Sequence, residues 1–279
     1  MSRHLSGLRL PTAMELMKTG TFKMRTLQAG KLTAQIYPDR QALGEAAAQA
    51  TAQVFRQEAS GTDALNVIFA TGASQLETLR ALTSMDDLPW GRIIGFHLDE
   101  YIGLSIDHPA SFRGYLRREL TERVKLKQFW EIDGTAPDLD VVCQEYSRKL
   151  RQAAPRICLL GIGENGHLAF NDPGVADFED PRDIKIVNLD LACREQQTGE
   201  GWFDSVIDVP AQALTVTISA LLRVPKLIVS VPGSRKARII RCVLQEDIST
   251  QCPATILRTH PDTTLYLDED SAAELDEVF

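Results

Sequence analysis

The strongest constraint on this chain is an alternation. Short apolar runs of strand length each break off into a loop of small or charged residues, and segments with helical spacing separate them. Leu65–Ala70 (LNVIFA) is apolar without interruption, as expected of a parallel strand covered on both faces. Arg92–Leu98, Arg156–Gly161 and Lys226–Val231 read as further strands, with Leu32–Tyr37, Ile184–Leu189, Leu214–Thr217 and Thr263–Leu267. Asp39 is placed to cap a helix through about Ala59, whose Leu43, Ala46, Ala47, Ala50, Val54 and Phe55 share one face. Other helices are predicted from Ser74 to about Ser84, Pro109 to Val124, Pro137 to Ala153 and Ser234 to Gln245. Strands alternating with helices imply parallel βαβ units. The predicted fold is therefore α/β, a single three-layer α/β/α sandwich with a mostly parallel, Rossmann-like sheet.

No internal repeat or Ser/Pro/Gly-rich linker divides the chain, so residues 31–279 read as one domain. Residues 1–30 read as an N-terminal extension outside the main fold, with a short amphipathic stretch at Ala13–Met17. The acidic, proline-punctuated stretch Asp172–Asp183 reads as a long surface loop and a candidate lid.

Composition narrows the function. Thirty basic residues against 38 acidic ones give a formal charge of −8, which argues against non-specific nucleic-acid binding and against attachment to a membrane surface. An anionic ligand would need local positive charge. The five cysteines (Cys143, Cys158, Cys193, Cys242, Cys252) are odd in number and include no CxxC pair, which fits a reducing compartment and a cytoplasmic protein. No apolar run approaches the roughly 18 residues of a membrane-spanning helix. The first thirty residues also lack the apolar core of a signal peptide.

In open parallel sheets, ligands bind beyond the carboxyl ends of the strands, and the polar clusters of this chain fall at those ends. Thr71-Gly72-Ala73-Ser74 and Gly233-Ser234-Arg235-Lys236 each leave a strand and open a helix, which suits an anion. Read singly, the first is also an ordinary βα turn capped by Ser74, and Lys236 a solvated lysine. Asp99-Glu100-Tyr101 puts a carboxylate at a strand end, either as a general base or as a turn cap. The loop Gly161–His167 carries a histidine with Asp172 five residues on, a pairing suited to proton transfer near neutral pH, although a lone histidine is more often structural. His97 sits inside a strand and reads as packing; His108 and His260, each before proline, read as rim residues. The motifs GxxxxGK[ST], GxSxG and HExxH are absent, and no GxGxxG follows the LNVIFA strand. What remains is acid/base chemistry on a small anionic substrate, with no evident metal.

These segments resemble the glucosamine-6-phosphate deaminase (isomerase) family, in the superfamily that also holds 6-phosphogluconolactonase. The resemblance rests on LDEYIGLSIDHPASF (98–112), GIGENGHLAFNDP (161–173), VPAQALTVTISALL (209–222) and PGSRKA (232–237), and runs from about residue 32 to the C-terminus. It implies conversion of an amino-sugar 6-phosphate to a ketose 6-phosphate and ammonia, without cofactor or metal. It assigns Asp99 as the base that moves a proton between C2 and C1, and His167 as the group that opens the sugar ring, oriented by Asp172. Asn165 joins the catalytic set. Thr71, Gly72, Ala73, Ser74 and Lys236, with Glu100, become the substrate and phosphate contacts.

Several positions depart from the family pattern. Asp172 stands where glutamate is usual, Asn165 where some members have aspartate, and TGAS where TGGT or TGST is commoner. Gly201 precedes Trp202-Phe203 where the family carries a phosphate-binding arginine, leaving Arg194 and Arg235 as the nearby cations. Two other readings compete: a lactonase using His167 to activate water, and a non-catalytic sugar-phosphate sensor. The retained Asp99 and His167 disfavour the sensor, and FNDP after the histidine step disfavours the lactonase. The partner is a small amino-sugar phosphate; a homo-oligomer is left open.

Overall fold

The computed structural model describes residues 24–58, 61 and 64–275; the stretch Ala13–Met17 lies outside them. The strands are β1 (Arg25–Ala29), β2 (Leu32–Tyr37), β3 (Leu65–Phe69), β4 (Ile93–His97), β5 (Asp99–Tyr101), β6 (Gln128–Trp130), β7 (Ile157–Leu160), β8 (Ile184–Asn188), β9 (Gln212–Val216), β10 (Lys226–Val231) and β11 (Thr263–Asp268). The helices are α1 (Arg40–Glu58), α2 (Leu76–Thr83), α3 (Phe112–Leu116), α4 (Leu139–Ala153), α5 (Leu191–Gly199), α6 (Ile218–Leu222) and α7 (Ala237–Gln245). Eight strands form the main sheet in the order β1-β2-β11-β10-β7-β3-β4-β6, and every pairing is parallel except β1 with β2.

The layers follow from the two-residue period of the strands. In β7, Ile157 and Leu159 pack with Leu43, Phe55 and Leu79 of α1 and α2 on one face, while Cys158 and Leu160 pack with Tyr146, Leu150 and Ile240 of α4 and α7 on the other. Both faces are covered, which is why these strands carry no polar alternation. Asp138 caps α4 and Asp190 caps α5, each accepting from the backbone N–H three residues on, at 3.0 and 2.6 Å. Such caps are typically worth about 1 kcal/mol each.

Some expectations change. Arg25–Ala29, placed by sequence in the extension, is an edge strand of the main sheet, with Arg25 opposite Ile36 and Ala29 opposite Leu32. The strands around 184–189 and 214–217 are not in the parallel sheet. With β5 they build a separate antiparallel sheet, β5-β9-β8, over a cluster of Tyr101, Phe170, Phe203 and Val187. The helix expected through Val124 is α-helical only to Leu116, and a π turn follows over Arg117–Thr121. In α1 the buried face is Leu43, Gly44, Ala47, Ala48, Thr51, Ala52 and Phe55, because Gly44 lets α2 approach: a Cβ there would lie 2.4 Å from the Glu77 Cβ. His97 packs as expected, accepting at Nδ1 from the Ile132 N–H, and burial lowers its pKa to about 3. His260 is not on a rim; it is buried, with Nε2 2.8 Å from the Val224 carbonyl and Nδ1 2.8 Å from the Thr263 hydroxyl.

The candidate lid is tied down. Asp180, buried, pairs with Lys185 at 3.1 Å and with Arg182 at 2.9 Å, and Lys185 also donates to the Val175 carbonyl. Asp183 is buried between Arg151 and Arg223. None of residues 173–183 lines the cavity described next.

Candidate active site

A cavity of about 330 Å³ opens at the C-terminal ends of β3, β4, β7 and β10. Its floor is made by two turns of the same design. After β3, Gly72 (φ 89°) precedes a 3-10 turn, Ala73–Gln75, that runs into α2; after β10, Gly233 (φ 94°) precedes Ser234–Lys236, running into α7. Gln75 N–H donates to the Gly72 carbonyl at 3.1 Å and Lys236 N–H to the Gly233 carbonyl at 3.0 Å. The leading N–H groups of both turns point along helix axes that favour negative charge. Each turn is braced from behind: Tyr115 donates to the Gly72 carbonyl at 3.0 Å, and both Asp268 oxygens accept from the Gly233 N–H at 2.9 Å. Thr71, Gly72, Ala73, Ser74 and Lys236 all line the cavity, as the sequence led us to expect.

Asp99 begins β5 where the chain leaves β4, and its side chain lines the cavity. Burial, with the neighbouring Glu100 charge, pushes its carboxyl well above the ordinary carboxylate value. Glu100 does not line the cavity, which corrects its placement as a substrate contact. Successive residues of a strand point to opposite faces, and Glu100 points inward. There it accepts from the N–H groups of Tyr101, Phe112 and Arg113 and from the Ser111 hydroxyl, at 2.8–3.2 Å. Arg113 lies 3.5 Å from it. Its role is to hold the start of α3 against β5.

His167 lines the cavity from the β7 exit loop. Asp172 Oδ1 lies 2.9 Å from His167 Nδ1, off the line of the ring N–H. The shorter aspartate thus reaches the imidazole. Asn165 ties the two together: its Nδ2 donates to Asp172 Oδ1 at 2.9 Å and its Oδ1 accepts from the His167 N–H at 3.0 Å. Neither Asn165 nor Asp172 lines the cavity; both stand behind the histidine. Burial raises the Asp172 pKa, but the His167 ring 2.9 Å away, then contacts from Asn165 and Cys193, outweigh it and hold the carboxyl below its ordinary value. His167, Asp172 and Cys193 are the one group of metal-ligating type whose donor atoms come together among the described residues, within 4.8 Å of one another.

In the sequence Gly163 reads only as one residue of the glycine-rich loop, and the structure adds a steric role. A Cβ at residue 163 would lie 2.2–2.4 Å from three atoms of the His167 ring, so the imidazole occupies the space a side chain would need. The sequence reading missed Arg40, at the start of α1, and Gln196, Gln197 and Glu200, at the end of α5, all of which line the cavity. The last three share one helix end, a pattern with no motif to announce it. Arg194, a possible replacement for the missing arginine, instead donates to the carbonyls of Val206 and Val209 and does not line the cavity. Arg235 does line it, 2.8 Å from Glu164.

A parallel sheet with a carboxyl, a carboxylate-backed imidazole and two helix-opening turns around one cavity at its strand ends is an α/β arrangement suited to acid/base chemistry on a small ligand. Residues 38–266 match the family described as glucosamine-6-phosphate isomerases/6-phosphogluconolactonase, and the chain belongs to it. A glucosamine-6-phosphate deaminase of Exiguobacterium sibiricum is 34% identical over 232 residues, covering 83% of this chain and 90% of the relative. The solved structure of a monomeric glucosamine-6-phosphate deaminase superposes with a TM-score of 0.79 at 29% identity, covering 88% of this chain and 99% of that one. A 6-phosphogluconolactonase of Thermotoga maritima shares the fold, with a TM-score of 0.69 at 19% identity, covering 85% of this chain and 100% of that one.

Proposed function

We propose that this chain converts glucosamine 6-phosphate to fructose 6-phosphate and ammonia by acid/base catalysis. The observation that carries the reading is that Asp99, with its raised carboxyl pKa, and His167, braced by Asp172, line one cavity between two anion-binding turns. His167 takes the C1 hydroxyl proton and passes a proton to the ring oxygen as the C1–O5 bond breaks and the pyranose opens to the aldehyde. Asp99 then removes the C2 proton, giving an enolamine, and returns a proton to C1. The resulting C2 imine takes up water and loses ammonia, leaving the ketone. A carboxyl whose pKa is raised by burial suits this task, because its carboxylate gains basicity toward a carbon acid. The phosphate lies across the Gly72–Ser74 and Gly233–Lys236 turns, held by backbone N–H groups and by Lys236. This local supply of positive charge answers the acidic balance of the whole chain.

The domain that performs this includes β1 as well as residues 31–275. We place it in the cytoplasm: Cys143, Cys158, Cys193, Cys242 and Cys252 are free thiols, and no helix among the described residues is long and apolar enough to cross a membrane. Ammonia and ketose phosphate release from glucosamine 6-phosphate by purified protein tests the activity. Failure to form either from any amino-hexose 6-phosphate, with hydrolysis of 6-phosphogluconolactone above its spontaneous rate, would establish the lactonase instead.

A further inference from the structure

The wall of the cavity beside Lys236 carries an inference that rests on the proposed function and narrows it. Three cationic side chains line the cavity: Arg40, Arg235 and Lys236. Arg40 lies 2.9 Å from Glu77 and Arg235 lies 2.8 Å from Glu164, so both cations are already matched by carboxylates. Lys236, only 8% exposed, has no such ion pair among the described residues. Of the other titratable groups on the cavity, Asp99 and His167 belong to the reacting end, and Glu164 and Glu200 stand with the cations.

Glu200 closes the same wall. Its Oε1 accepts from Gln196 Nε2 at 2.8 Å and its Oε2 from Trp202 Nε1 at 3.2 Å, while Gln196 Oε1 accepts from the Glu164 N–H at 2.9 Å. These contacts hold the carboxylate in place. Lys236 feels it: burial lowers the ammonium pKa, and Glu200, then Glu164, push it back up. Gly201 makes the arrangement possible. At φ 81° it turns the chain out of α5, its N–H donating to the Thr198 carbonyl at 2.9 Å, so that Glu200 faces the cavity and Trp202 packs against the core. An arginine at that position would put a side chain in a conformation that L residues rarely adopt.

We propose that Glu200 determines the charge of the distal group this cavity accepts, selecting a sugar whose terminal ester carries one negative charge over one that carries two. Glu200 offsets Lys236, and the backbone N–H groups of the two turns are left to hold the remaining single charge. A phosphate monoester satisfies this as its monoanion, and a sulfate ester always does.

The test compares glucosamine 6-phosphate with glucosamine 6-sulfate at about pH 8, where the phosphate is a dianion because its second pKa is about 6. Glu200→Gln should lower KM for the 6-phosphate roughly tenfold, as expected for removing one like charge at short range. KM for the monoanionic 6-sulfate should change by less than about threefold, and the inhibition constant of inorganic phosphate should fall with that of the 6-phosphate. Glutamine has one acceptor oxygen for the two donors Gln196 Nε2 and Trp202 Nε1, so Glu200→Ala is measured in parallel, with thermal unfolding of both variants. An equal shift for both esters would mean that Glu200 only shapes the wall and would overturn the proposal. So would a rise in KM for the 6-phosphate, which would make Glu200 a direct ligand of the sugar. Ammonia release from neither ester by the parent protein would instead take down the proposed function itself.

Discussion

The ring of His167 fills the space that a side chain on Gly163 would occupy, with three of its atoms within 2.2–2.4 Å of where that Cβ would be. The two residues bracket one tight loop: the Gly163 N–H donates to the His167 carbonyl at 3.0 Å, and the Gly166 N–H to the Gly163 carbonyl at 3.0 Å. The imidazole is therefore positioned from two sides, by Asp172 at Nδ1 and by bare backbone at residue 163.

Gly163→Ala should displace the imidazole by about an ångström without disturbing the sheet. Misplacement on that scale typically costs about a hundredfold in rate. Turnover of glucosamine 6-phosphate should fall by about that factor, while the unfolding temperature drops by only a few degrees. Activity within a fewfold of the parent would show that the His167 position is not the one used.

Asp99 lies on the other side of the reaction, and its raised pKa makes a prediction for stability as well as rate. A carboxyl whose folded pKa lies above its unfolded value binds its proton more tightly when folded. Its ionisation therefore costs stability as pH rises from the unfolded value, near 4, toward the folded one. Asp99→Asn removes that cost while abolishing ammonia release. The variant should be inactive yet unfold at a higher temperature than the parent at pH 7, with the gap vanishing below about pH 4. A variant less stable than the parent at neutral pH would refute the assigned direction of the shift.

The limits of the sequence reading have specific physical origins. The layered fold was legible because strands such as LNVIFA and RICLLG are apolar on both faces, which only a covered parallel sheet explains. The place of the site at the strand exits was legible for the same topological reason, and Asp99, His167, Ser74 and Lys236 meet in one cavity. Glu100 was misread because adjacency in sequence puts it beside Asp99, whereas the strand period points it to the opposite face, under the N-terminus of α3. β1 was missed because RTLQA has little apolar content; it is an edge strand with one fully covered residue, Ala29. Gly163 lies in the GIGENGHLAFNDP segment, but its steric contact with the His167 ring has no mark in the sequence, and Glu200 follows a helix end with no motif of its own.

Asp172 tests whether the shorter carboxylate performs the orienting task. Asp172→Asn keeps the size but removes the charge that faces Nδ1, and should lower kcat by about one to two orders of magnitude with a smaller change in KM, as loss of an orienting partner does. Asp172→Glu should recover most of that loss. Because the folded pKa of Asp172 is held below its ordinary value, its stabilising contribution is present at neutral pH and disappears as pH falls through that value. The parent should thus lose stability relative to Asp172→Asn on acidification, measured by thermal unfolding between about pH 6 and pH 3. Equal slopes for the two proteins would show that the contact does not persist in solution.

The phosphate contact proposed for Lys236 comes at a cost to the fold. It is 8% exposed, and burial pushes its ammonium pKa down against the pull of Glu200 and Glu164. A buried ammonium without a close carboxylate is destabilising until an anion arrives. Lys236→Met, similar in length and free of charge, should raise KM for glucosamine 6-phosphate by about two orders of magnitude, the loss of a charge-assisted contact to an ester oxygen. The same change should leave the unliganded protein as stable as the parent or more so. Ligand should then discriminate: inorganic phosphate at millimolar concentration should raise the unfolding temperature of the parent and leave that of Lys236→Met unmoved. An equal rise in both would place the anion elsewhere than between the two turns.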